Sequence, residues 1–319
     1  MYTIPLMNHR KRKIKMKLIG KIAVVFGTGI LLVCVIIYLF DYRKPPASPS
    51  ENWHAYLTER EQQHPLAKYW YKITKPDSVV LESLRKGPII PSDMLAWENR
   101  LELSNPGYQK VENGWCLLED GSGYVAVKTF FPNATAKMLD WWFVWAQQKE
   151  NIRYKIWYPG AHYSMAEIDT PNTLKHPNGK ENWGKSRFPV EDVGLGVSQI
   201  RLDFVPPDEF GFNEEPDSTS IVTVRVGLAN GLFKHTDMIH YIRPVKGGVE
   251  MRSRFWMARD LEPMSGGLGL AAFLADNQFI KRRAMPSYAP KELAFHCATE
   301  YSQLAGFLPE LYAVYGPKN

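Results

Sequence analysis

Apolar positions first cluster in one unbroken run, Ile22 to Phe40, nineteen uncharged residues that as a helix span roughly 28 Å, about the thickness of bilayer hydrocarbon. Beyond it the pattern becomes amphipathic and short-ranged. Trp53–Gln63 and Ser78–Arg85 carry helical spacing, and each is followed by Gly- and Pro-broken chain such as Lys86-Gly-Pro88 and Asn105-Pro-Gly107. Gly123–Phe131 alternates loosely, as a strand does. Asn133–Gln148 is apolar nearly all round through Met138, Leu139, Trp141, Trp142, Phe143 and Trp145, which predicts a buried helix. Strands are then predicted at Arg153–Trp157, Gln199–Val205, Ser220–Leu228, Asp237–Val245 and Gly248–Ala258, with a tight hairpin at Val245-Lys-Gly-Gly-Val249 joining the last two. The stretch Tyr288–Tyr312 closes the pattern with a long amphipathic helix. Pro290 suits its first turn, and the helix should stop near Leu308, because the ring of Pro309 clashes with the preceding turn. Antiparallel strands followed by a long C-terminal helix predict an α+β fold, the sheet wrapped against that helix.

Charge changes the picture at one end only. The 319-residue chain has a formal net charge of +6, but Arg10, Lys11, Arg12, Lys13, Lys15, Lys17 and Lys21 precede the apolar run with no acid among them, leaving the remainder close to neutral. The basic balance therefore belongs to a tail, not to a nucleic-acid-binding face. With Arg43 and Lys44 alone just after it, the run reads as an uncleaved signal anchor, N-terminus in the cytoplasm and the bulk of the protein across the membrane. The expected organisation is a basic tail (1–21), a transmembrane anchor (22–40), a Pro/Ser-rich tether (41–52), an N-terminal region (53–130) and a main domain (131–319). Cys34 lies in the span, so Cys116 and Cys297 are the remaining pair, with no spacing that announces a disulfide framework. Asn133-Ala-Thr135 matches an N-glycosylation acceptor, meaningful in a eukaryotic secretory route.

Candidate chemistry centres on the C-terminal helix. His296 and Glu300 are four apart, so both project from one helix face with Cβ atoms roughly 5–6 Å apart, where one divalent ion can hold both. The same spacing also describes a solvated surface pair. Upstream, His162 is placed just past a strand, Glu191 in a turn, and His240 inside the strand Met238–Ile242, each equally readable as an ordinary structural residue. His64, His176 and His235 stand in looser contexts. Gly267-Leu-Gly-Leu-Ala-Ala272 matches a dinucleotide-binding pattern, but it lacks the preceding strand that such a loop needs and reads as a small-residue loop. No nucleophile elbow and no phosphate loop occur, which leaves serine-hydrolase and nucleotide-hydrolysing readings without support.

Several motifs together, Trp141-Trp-Phe-Val-Trp145, Arg153-Tyr-Lys-Ile-Trp-Tyr-Pro-Gly-Ala-His162, Arg252-Ser-Arg-Phe-Trp256 and His296-x-x-x-Glu300 followed by Leu304–Tyr312, resemble the 2,4-diacetylphloroglucinol hydrolase family, which includes phloretin hydrolases. The resemblance covers roughly residues 110–315. It implies a Bet v 1-like helix-grip fold and zinc-dependent hydrolysis of the carbon–carbon bond between an acyl group and a phenolic ring. It places the zinc ligands on His162, Glu191, His296 and Glu300, the catalytic histidine on His240 and a substrate-facing tyrosine on Tyr154. Gln148, Met165, Phe255 and Ala146 depart from the more polar residues that the resemblance leads one to expect, which points to an altered substrate. The competing reading from another class is a membrane-tethered helix-grip module that holds an apolar molecule and needs no metal.

Overall fold

The computed structural model describes residues 54–147, 150–166, 180–213, 218–229, 233–263 and 276–318, with a few isolated positions elsewhere. The run Ile22–Phe40 expected to form a signal anchor, apart from isolated positions, and the whole of Gly267–Ala272 lie outside the described residues. Among those described, no helix is long and apolar enough to cross a membrane.

Eight strands form one antiparallel sheet: β1 Gly114–Leu117, β2 Gly123–Pro132, β3 His162–Ala166, β4 Ser186–Asp192, β5 Val197–Val205, β6 Ser220–Leu228, β7 Phe233–Val245 and β8 Gly248–Pro263. Their order is β1-β2-β8-β7-β6-β5-β4-β3, so β3 and β4 stand at the edge opposite β1. β1 and β2, which fall mostly before residue 131, are strands of the same sheet as everything after it. The hairpin between β7 and β8 turns at Val245↔Gly248, where the expected tight turn lies.

The loose alternation along these strands has a simple cause, because both faces of the sheet are covered and neither needs polar residues. Val125, Val127, Met251 and Phe255 point to an inner core, while Tyr124, Ala126, Ile239 and Trp256 point to an outer one. The outer face is closed by the segment with the 3₁₀ turns Pro91–Asp93 and Trp97–Ser104, whose Leu95 and Leu103 are buried. The Trp256 indole donates to the Leu95 carbonyl at 2.9 Å. The inner face carries the helices. Three short ones come first, α1 Glu59–Gln62, α2 Ala67–Tyr71 and α3 Ser78–Lys86. Of the expected helix Trp53–Gln63 only α1 forms, started by a capping box between Thr58 and Glu61.

α4, Ala136–Trp145, is capped by Thr135, which accepts from the Met138 amide, a bond worth about 1 kcal/mol. It buries Leu139, Trp142, Phe143 and Trp145 as its composition requires. The expected strand Arg153–Trp157 is instead a helix, α5 Asn151–Lys155, and a turn. Its aromatic and β-branched residues suit a strand in isolation, but here Ile152, Tyr154 and Ile156 are buried in the inner core, and tertiary packing overrides propensity.

After α6, Gln278–Ala284, the long helix α7 runs Ala289–Ala305 and ends at Gly306, a little earlier than expected. Pro309 does not merely stop a helix. It sits in the first turn of another, α8 Leu308–Tyr315, where its missing N–H costs nothing. The α2 segment packs against this corner: Gln303 donates to the Tyr69 carbonyl at 2.9 Å, and the Tyr69 ring lies tilted against Phe307 with centroids 5.0 Å apart. Cys116 and Cys297 are both buried free thiols. Asn133 is exposed, in a left-handed turn with φ of 58°.

Candidate metal centre

Two strands and one helix build the site. His162 and Glu191 are register partners across β3 and β4, so the pairing sets their side chains next to each other. His162 therefore begins a strand instead of following one, and Glu191 lies in a strand, not in a turn. Pro189 hides that strand in the sequence. It sits where the β4–β5 ladder is interrupted between Arg187 and Val190, a position a residue without an N–H can occupy. α7 supplies His296 and Glu300 from one face, both buried.

The four side chains converge. His162 Nε2 lies 3.2 Å from Glu191 Oε2 and 3.6 Å from Glu300 Oε2. His296 Nε2 lies 3.9 Å from each of the same two oxygens. His162, Glu191 and His296 offer donor atoms all within 4.8 Å of one another and could hold a metal ion.

The two imidazoles are turned by the backbone. His162 Nδ1 is 3.2 Å from the Tyr154 carbonyl and His296 Nδ1 is 3.2 Å from the Asp192 carbonyl. A carbonyl only accepts, so each Nδ1 must carry a proton and each ring, when neutral, presents a bare Nε2. These two lone pairs face each other at 3.4 Å, beside two carboxylates and out of water. Bare imidazole nitrogens and ionised carboxylates so placed repel one another unless positive charge, as protons or a metal ion, sits among them. Tetrahedral ligands at zinc–nitrogen and zinc–oxygen bond lengths stand about 3.3 Å apart, close to the spacings found here.

Charge in the site is divided unequally between the two acids. Burial alone would raise the Glu191 carboxyl, but hydrogen bonding and positive charge from His162 and His296, with the Tyr154 hydroxyl, outweigh it and hold the group at about 2. Burial, and then the Glu191 charge, push Glu300 well above the carboxylate range. Burial lowers His296 to about 4. The site thus favours one negative charge by itself, and an added cation would draw the proton from Glu300.

Tyr154 is bound into this centre. Its hydroxyl donates to Glu191 Oε2, and its ring stacks on His162 with centroids 4.0 Å apart. His240 stands behind. It is buried between Phe143, stacked at 5.9 Å, and the edge of Phe255 at 5.8 Å. Its Nδ1 meets Ser253 Oγ at 2.8 Å and its Nε2 meets the Tyr301 hydroxyl at 2.9 Å. Burial pulls it down to about 3, which keeps the ring neutral at physiological pH. Trp157 bridges the two groups, edge-on to His162 at 5.3 Å and to Tyr301 at 5.4 Å.

Sequence reasoning passed over Trp157, Tyr158 and Tyr301. Tyr158, whose ring lies 4.9 Å from that of His296, and Trp157 sit inside the motif that carries His162, and Tyr301 directly follows Glu300. Nearness to a proposed ligand was the available signal, but the bond from Tyr301 to a strand 61 residues away was not legible. Among the other positions singled out, His64 pairs with Glu150 and His235 with Thr236, away from this group. His176 and Gln148 lie outside the described residues. Met165 is half-buried on β3 and packs against the inner core, and Ala146 is buried beside α4.

An α+β fold whose sheet edge and long helix together present two histidines and two glutamates to a common buried point defines a protein with a candidate divalent-metal site. Comparison with known sequences gives its family. The chain belongs to the DAPG hydrolase PhiG domain family, whose model matches residues 95–313. It is similar to the phloretin hydrolase of Eubacterium ramulus, 29% identical over 81% of this chain and 92% of that protein. It is also similar to the 2,4-diacetylphloroglucinol hydrolase of a Pseudomonas species, 28% identical over 79% of this chain and 88% of that one. A likeness to the crystal structure of Ara h 8.0201, with TM-score 0.30 and 12% identity over 58% of this chain and 99% of that one, is too distant to bear on the fold.

Proposed function

We propose that this protein is a membrane-anchored, zinc-dependent hydrolase of Bet v 1-like helix-grip architecture that cleaves the carbon–carbon bond between an acyl group and a phenolic ring. The observation that carries the reading is the pair of bare imidazole nitrogens, 3.4 Å apart and flanked by Glu191 and Glu300. A module that only binds an apolar molecule has no use for that arrangement. Family membership and the named activities of the relatives supply the substrate class.

His162, Glu191, His296 and Glu300 would hold the ion. Zinc bound there supplies Lewis acidity toward a carbonyl oxygen and toward water. Tyr154 holds Glu191 in place by its hydrogen bond and His162 by stacking, so ligand orientation is settled before substrate arrives. Phe143 and Phe255 keep the space around His240 apolar, suited to an aromatic ring.

Hydrolysis adds the oxygen and one hydrogen of water to the acyl carbon and the other hydrogen to the ring carbon. One proton must therefore be carried from water to carbon. His240 is neutral at rest and can accept that proton at Nε2, in place of its present hydrogen bond with the Tyr301 hydroxyl.

The test is metal analysis of the purified protein together with a panel of acylated polyphenols. Zinc near one equivalent and release of a carboxylic acid with the deacylated phenol are expected. Cleavage of aryl esters with no ketone cleavage anywhere in the panel would sink the assignment.

A further inference from the structure

We infer that Tyr301 is the positioning residue of His240, holding it in the Nδ1–H tautomer with its ring turned toward the metal-bearing helix. The inference rests on His240 being the proton carrier. Among the described residues the hydrogen bonds to His240 are two, from opposite sides: Ser253 Oγ on Nδ1 at 2.8 Å and the Tyr301 hydroxyl on Nε2 at 2.9 Å. The rings around it, Phe143 and Phe255, offer no polar atom. With no carboxylate in this set to fix the tautomer, two hydroxyls must do so.

Their chemistry decides the direction. A phenol is a better donor and a poorer acceptor than an aliphatic alcohol, so Tyr301 donates to Nε2. Nδ1 then carries the proton and gives it to Ser253 Oγ. Ser253 can accept, because a hydroxyl oxygen carries two lone pairs beside its own proton. The chain runs Tyr301 to His240 to Ser253, and its donor end belongs to α7.

This gives α7 a second task. Residues 296 and 300 face the cation site, and residues 297 and 301, one position on, face β7 and β8. One rigid helix thus sets the spacing between the ion and the base. His240 is oriented by a third group, as catalytic bases commonly are, but here that group is neutral.

The experiment uses full-length protein in detergent, labelled with 15N-histidine, with His240 assigned through His240→Gln. In the wild type His240 should show a protonated Nδ1 and an accepting Nε2. Tyr301→Phe keeps the ring and removes the donor. It should mix the His240 tautomers and lower kcat about ten- to a hundredfold, with KM within a few-fold and zinc content unchanged. Unchanged His240 signals with wild-type kcat would overturn the inference, as would loss of zinc, which would put Tyr301 in the ligand set. If Tyr301→Phe fails to fold, the wild-type spectrum alone decides: a proton on Nε2 overturns the polarity. Full activity in His240→Ala would instead defeat the proton-carrier reading, a result separable from the tautomer measurement.

Discussion

At the scale of single residues, holding the metal and moving the proton fall to different side chains, and substitutions should separate them. His296→Ala and Glu300→Ala each remove one donor from the α7 face and should lower zinc content and, with it, the melting temperature, since an ion bound only by the folded state stabilises that state. His240→Ala touches none of the four donors. It should leave zinc and melting temperature close to wild type while kcat falls by roughly 10²–10⁴-fold, the range of a general acid–base group. Metal content, calorimetry and steady-state rates on one preparation distinguish the two patterns. A His240→Ala protein stripped of zinc would make His240 a ligand.

At the scale of elements, the outer face of the sheet has its own charged lock. Arg252 and Arg254, adjacent on one face of β8, have fully buried side chains, and both reach Glu112, at 2.6 and 2.8 Å. Burial alone would raise the Glu112 carboxyl, but the hydrogen bonds and charges of the two guanidinium groups hold it down at about 2. A carboxyl depressed in the folded state contributes stability that is fully present above its ordinary value of 4.5 and is lost as pH falls toward about 2. Acid titration of the melting temperature should therefore show a loss in that window that Glu112→Gln largely abolishes. The variant itself should be destabilised at neutral pH by about 3–5 kcal/mol, because it leaves two buried cations without their carboxylate. A variant as stable as wild type at pH 7 would show that the lock contributes nothing.

For the whole molecule, the charge asymmetry around Ile22–Phe40 makes the topology a proposal of its own: N-terminus in the cytoplasm, catalytic domain across the membrane. The fold is compatible with a tether, since His54 is exposed and the sheet with its covering helices is built from Glu59 onward. A reporter that works only outside the cytoplasm, fused after Asn319, should be active. Activity of a cytoplasmic reporter alone at that position would reverse the orientation.

The sequence by itself determined the class of fold, the strands β5 to β8, the buried tryptophan helix and the pairing of His296 with Glu300, because each is a local matter of periodicity or spacing along one element. It also carried His162, Glu191 and His240 as residue types, through motifs and a family likeness. Only the tertiary structure decided what surrounds them. That Glu191 lies opposite His162 depends on strand register across a proline; that Tyr154 is on a helix depends on core packing; that Tyr301 reaches His240 depends on how α7 lies over the sheet. Contacts between elements distant along the chain leave no period in it, since either partner alone is an ordinary residue until the fold brings the other to it.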